Sequence, residues 1–156
     1  MAADVCDLGD GELPDRLRSA LAYWKQIKGD RLIPYRRDFD PAAVPKLLPH
    51  IILTEVVRRE VDLAFQDFRF RLIGTYVDDR MKERYSGRKL SEIANKGPGS
   101  DIWGVYCLVK REKKPKLARM NYIGPTDNIK STRELFLPFS NDGERVDFVI
   151  VVLVFE

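Results

Sequence analysis

The sequence predicts an α+β fold: a five-stranded antiparallel sheet with a helical flap on one face and an amphipathic helix ahead of it. Three stretches of the 156-residue chain carry that expectation. In residues 68–73, Phe68, Phe70 and Leu72 alternate with Arg69, Arg71 and Ile73, the two-residue period of a strand with one apolar face. In residues 101–112, Ile102, Val105, Tyr106 and Val109 fall at i, i+3, i+4 and i+7, the buried stripe of a helix. In residues 146–155 the run is apolar on both faces, with Phe148, Ile150, Val152 and Val154 on one side and Val149, Val151, Leu153 and Phe155 on the other. Such a strand belongs in the middle of a sheet covered on both sides.

The remaining elements follow in order. Residues 1–12 are small, acidic and glycine-containing, and predict a flexible tail. Residues 13–50 predict an N-terminal helix and a proline-rich connector, and residues 51–156 the sheet domain. Leu13, Leu17, Ala20, Leu21, Trp24 and Ile27 lie on one helical stripe that stops at Gly29. That stripe has two uses: packing on its own domain and building a dimer. Asp40-Pro41 caps a helical turn or two over 41–48. Ile51 to Val57 is a β-branched strand. A charged hairpin tip over 58–67 leads into the strand at 68–73. Gly74 breaks that strand. Thr75 and Asp78 fit a capping box, and a helix over 76–85 stops at Gly87. A second short helix and a Gly/Pro-rich loop then lead to the helix beginning at Ser100 or Asp101. Strands at 116–123, 133–139 and 146–155 complete the chain, with Asn141-Asp142-Gly143 turning between the last two. The two-sided final strand neighbours the first strand, and the hairpin partners lie outside.

Composition narrows the class. The chain is 44% hydrophobic and 33% charged, with both signs abundant, which argues for a packed domain with a solvated surface. A net charge of +3 does not call for a polyanionic partner. The two cysteines, Cys6 and Cys107, have neither CxxC nor Cys/His spacing, so zinc and a disulfide framework are disfavoured. The N-terminus has no basic and apolar leader, and the longest apolar run is too short to span a bilayer, which suggests a cytoplasmic protein with no membrane contact.

With the element order in hand, the stretch FRFRLIGTYVDDRMKERYSGRKLSEI resembles the core of a PAS domain. The motifs YWxxxxGDRxxP, DxDPxxxPxLLPHI and FRFRLxGT are together similar to a family of short bacterial proteins built of little beyond one PAS-like domain. The resemblance covers residues 17–155. It implies a sensory or interaction module that holds a small molecule between sheet and flap, or pairs through the outer sheet face and an N-terminal helix. It implies no catalytic residues. The chain has no room for an output enzyme, so a signal leaves through a protein partner. On this reading a ligand would touch Phe70, Leu72, Ile102, Val105, Tyr106, Val109, Met120 and Tyr122. A homodimer would use Leu17, Leu21, Trp24, Val149 and Val151.

Other chemistries are weaker. His50, the single histidine, precedes the first strand, whereas haem-binding PAS domains ligate from the flap, so a structural hydrogen bond at the loop-to-strand junction is its expected role. Cys107 sits in VYCLVK rather than the Asn-Cys-Arg-Phe pattern of flavin photosensors, so an adduct is disfavoured and the thiol reads as a small hydrophobe. No carboxylate pair is poised for acid–base work. Two basic clusters, at 80–89 and 110–119, raise a nucleic-acid-binding regulator as an alternative, but Glu83 and Glu112 dilute them and a helix C-terminus explains the second. The other alternative is a small-molecule enzyme or carrier on a different α+β scaffold.

Overall fold

The computed structural model describes residues 4–6 and 12–156. Six strands form one antiparallel sheet: β1 (Asp4–Cys6), β2 (Ile51–Arg59), β3 (Asp62–Ile73), β4 (Lys116–Asn121), β5 (Ser131–Phe139) and β6 (Phe148–Phe155), in the spatial order β1-β4-β5-β6-β2-β3. The sheet has one strand more than expected, because residues 4–6 pair with β4. That part of the expected tail is a sheet edge, and residues 1–3 and 7–11 lie outside the described residues. β6 pairs with both β2 and β5, the central position its two apolar faces call for.

Each face of β6 has its own cover. On one side, Ile150 and Val152 join Leu135, Leu137 and Phe139 beneath α1 (Asp15–Lys28). Leu17, Ala20, Leu21 and Trp24 form that helix's buried face, and the Trp24 indole donates to the Pro138 carbonyl at 2.8 Å. On the other side, Val149, Val151 and Leu153 join Phe68, Phe70, Tyr106 and Phe136 beneath the flap. The five residues expected at a dimer interface are all buried within the chain. Val149 and Val151 face the flap and are fully enclosed, and Leu17, Leu21 and Trp24 are spent on their own sheet.

The hairpin is tighter than its charged sequence suggests. β2 runs to Arg59, β3 begins at Asp62, and two residues join them. Near its far end the pairing steps from Leu53↔Leu72 to Thr54↔Phe70, leaving Arg71 as an extra residue. This bulge reverses the alternation. Phe68 and Phe70 point under the flap and Ile73 packs there too, but Leu72 turns to the outer side and stays 49% exposed. It is not a pocket wall.

The flap is less helical than the sequence implies. α2 is a single turn (Thr75–Asp78), Gly74 occupies the N-cap position, and no side chain caps it, so the expected Thr75–Asp78 capping box is not made. The helix does not reach residue 85. A helix over that span would advance about 15 Å along its own axis. Instead the chain returns to the edge of β3, where Gly87 N–H donates to the Phe70 carbonyl at 2.6 Å and Phe70 N–H to the Arg88 carbonyl at 3.0 Å. Gly87 makes the turn at φ 85°. A short 3-10 turn at Leu90–Glu92 follows. The long flap helix α3 (Asp101–Glu112) starts as expected, with the Ser100 hydroxyl accepting from Trp103 N–H at 3.2 Å. The connector likewise has only 3-10 turns, at Arg36–Asp38, Pro41–Ala43 and Leu48–His50, the second capped by Asp40 through Ala42 N–H. No helix among the described residues is long and apolar enough to cross a membrane.

Two measurements check this packing. In urea unfolding, Trp24→Ala is expected to cost about 3–5 kcal/mol, whereas Leu72→Ala costs about 1 kcal/mol. Equal losses at the two positions would contradict the bulge. Gly74 lies so close to the 48–49 backbone that an added methyl would sit 2.3 Å from the Leu48 carbonyl oxygen. Gly74→Ala is therefore expected to lower stability by at least about 1–3 kcal/mol, seen as a lower urea midpoint at unchanged slope.

Candidate ligand site between the flap and the sheet

The flap face is floored by β2, β3, β4, β5 and β6 and roofed by α3 and the 85–96 segment. At its centre the space is filled. Tyr106 stacks on Phe68 with ring centroids 5.1 Å apart and meets Phe136 edge-on at 5.1 Å, while Phe68 meets Trp103 edge-on at 5.0 Å. The Tyr106 hydroxyl and the Thr54 hydroxyl share a hydrogen bond of 2.8 Å, which closes the one polar feature of this cluster. Burial drives the phenol's pKa far up, so Tyr106 remains neutral.

Of the residues expected to touch a ligand, Phe70, Val105, Tyr106 and Val109 are fully buried together in this core. Ile102 and Met120 pack at its margin. Tyr122 lies past the end of β4. Its hydroxyl donates to the Arg80 carbonyl at 2.7 Å, and its ring meets Phe155 edge-on. Tyr122 thus ties the β4–β5 connection to the end of α2, away from the central stack. Leu72 is on the other face.

A polar group that the sequence reading did not single out lies under the same flap. Two-residue alternation along β5 places Thr132 and Glu134 on the face of Phe136. Glu134 is buried, and the Thr132 hydroxyl donates to its carboxylate at 2.7 Å. Burial raises the Glu134 pKa above its ordinary value, opposed by the Thr132 hydrogen bond and by the Lys96 charge. Burial lowers the Lys96 pKa, opposed by Glu134. Lys96 also lies over the Tyr85 ring at 5.4 Å. A carboxyl group, an amine and a hydroxyl therefore share one margin of an apolar floor, beside Tyr106. The available signal was the alternation itself, which puts a glutamate on the flap face of a strand that is otherwise buried. Lys96 comes from a loop, and nothing local marks it.

A second buried carboxylate is structural. Asp67 accepts from Phe68 N–H at 2.8 Å and from Ser91, and so pins the 3-10 turn at Leu90–Glu92 to the edge of β3. Cys107 accepts from the Gln66 amide at 3.3 Å, and burial pushes its thiol pKa up. His50 does not take the expected hydrogen-bonding role. Its ring packs on Tyr76 at 4.6 Å, and its Nδ1 is buried with no partner among the described residues. The basic clusters are largely engaged: Arg80 stacks on Tyr76, Arg84 pairs with Asp78, Lys116 with Glu112 and Arg119 with Glu156. No group of three metal-ligating side chains occurs among the described residues.

A central last strand between the first hairpin and β5, under a flap of short helices, defines an α+β sheet-and-flap domain. A family model of the PAS domain matches residues 14–153. The chain belongs to the PAS domain family, whose members are in general sensory or interaction modules. No curated protein and no solved structure gives a significant match to the chain.

The Glu134 environment makes a pH prediction. A carboxyl whose folded pKa is raised holds its proton better folded than unfolded, so it subtracts stability as pH rises above its ordinary value of 4.5. Glu134→Gln keeps a hydrogen-bonding group beside Thr132 and removes the ionisation. The variant is expected to melt above the wild type at pH 7, with the gap closing as pH falls toward 4.5. An equal gap at both pH values would remove Glu134 ionisation as its cause.

Proposed function

We propose that this chain is a non-enzymatic cytoplasmic PAS module that takes a small polar-headed molecule at the Glu134 margin of the flap and passes the change on through a protein contact. The observation that carries this reading is the burial of Glu134 and Thr132 against the flap's aromatic core, with the half-buried Lys96 facing the same carboxyl group. Burying a carboxyl group beside an amine costs stability in a core that apolar side chains could fill. Groups kept under that cost are what a site for a hydrogen-bonding ligand needs. The central stack of Phe68, Tyr106 and Phe136 then serves as a rigid floor, and the short turns at 75–96 supply the movable part. Their backbone is tied to β3 at a few points, Gly87 and Arg88 on Phe70 and Ser91 on Asp67, so a ligand at Lys96 can shift the turns between those ties without breaking the sheet.

Native mass spectrometry of the purified chain tests this. The expected result is an added mass retained by the wild type and lost or weakened in Glu134→Gln and Lys96→Met. The same spectra report whether the chain is a monomer or a dimer. Wild-type protein that retains nothing, and that shows no amide shifts at residues 85–96 when screened by NMR with small carboxylates and amines, would overturn the ligand reading.

A further inference from the structure

A concavity lies on the face of the sheet opposite the flap. It is a groove of about 540 Å³ between the first turns of α1 and the connector, lined by Asp15, Arg16, Ser19, Val44, Lys46 and Leu47 among others. This volume is within the range that accommodates a small ligand. Its apolar wall comes from Val44, Pro45 and Leu47, and Leu47 and Val44 belong to the core cluster under α1. Its charges do not cancel. Asp15 is already paired with Arg18 at 3.1 Å. Arg16 and Lys46 have no carboxylate partner among the described residues, and Arg16 is steadied only by a 3.4 Å bond to the Leu153 carbonyl. The groove therefore presents an apolar wall beside two unspent cations and the Ser19 hydroxyl.

We propose that this groove binds a small amphipathic anion, its apolar body against Val44, Pro45 and Leu47 and its carboxylate or phosphate head on Arg16 and Lys46. Arg16 can give such a head two parallel N–H bonds, which favours a planar carboxylate. The site is independent of the one under the flap, since the sheet separates them. His50 gives the groove a reporter at the flap's hinge. Arg16 lowers the pKa of His50, after burial and together with Arg80, and His50 packs on Tyr76 of α2. An anion that neutralises Arg16 removes one of the charges repelling the His50 proton. His50 is the single histidine of the chain, so its ring resonance is unambiguous.

The test is an NMR titration with octanoate, with octan-1-ol as the body without the charge and acetate as the charge without the body. Octyl phosphate distinguishes the two head groups. Octanoate is expected to shift the amides of residues 16–19 and 43–47 saturably and to raise the His50 pKa, with octanol and acetate each at least about ten-fold weaker. Arg16→Gln/Lys46→Gln is expected to bind at least about ten-fold more weakly, with its His50 pKa already raised and unmoved by octanoate. Lys46→Gln alone, on an exposed turn, is expected to weaken binding in the same direction and guards against misfolding of the double variant. No saturable shift at 43–47, equal binding by the double variant, or octanol binding as well as octanoate would each overturn the proposal. These outcomes do not bear on residues 85–96, so failure here leaves the flap reading standing.

Discussion

A strand with apolar side chains on both faces can rest only where both faces are dry, and β6 imposes that condition on everything around it. Val149, Val151 and Leu153 on one side and Ile150 and Val152 on the other are each worth about 1.5–3 kcal/mol once buried, so neither face can be left to water. The flap covers one face. The other is covered by α1, which is therefore part of the domain and not an appendage to it. The connector at 29–50 has to carry the chain from the end of α1, across the outer face, to the start of β2. Its prolines and 3-10 turns suit that route, because they hold an irregular path with little backbone freedom left to lose.

Within that frame the buried polar groups fall into two kinds. Thr54 and Tyr106 satisfy each other and nothing else is asked of them. Asp67 is likewise consumed by Phe68 and Ser91. Glu134 differs: one hydroxyl bond and a nearby amine leave a carboxyl group in low-dielectric surroundings with bonding capacity to spare. The groove on the outer face shows the complementary imbalance, with cations that lack acids. Both sites border segments of irregular backbone, and Tyr76 and His50 pack together at the turn where β3 becomes the flap.

What was legible in the sequence was what is decided locally or by an unambiguous period. The stripes of α1 and α3, the Ser100 and Asp40 caps and the central place of β6 depend on residues within a turn or on one strand's own composition. The rest was decided at a distance. Arg71 is extra only because β2 pairs as it does, and that one-residue shift carries Leu72 to the other face. Residues 76–85 have good helix formers, yet the hydrogen bonds of Gly87 and Arg88 to Phe70 outweigh them. β1 is three residues whose strand character comes from β4. A strand apolar on both sides cannot announce which side the flap will take, and the flap takes the side of Val149 and Val151. Glu134 was readable as a flap-face position, but its partner Lys96 arrives from a loop with no periodicity to mark it.

The hydrogen bonds of β3 have a consequence for how this protein meets others. The hairpin tip holds Val61, in the turn, and Leu63, at the start of the long border strand β3, almost fully exposed at 96% and 92%. Such a border invites a stranger's strand to zip on, the first step toward aggregation. Here three of the donors are already occupied. Phe70 N–H goes to Arg88, Phe68 N–H to the Asp67 carboxylate and Ala64 N–H to Asp62. A strand that adds here meets an interrupted row of donors, so a protein docking on this tip gains more from the exposed side chains of Val61 and Leu63.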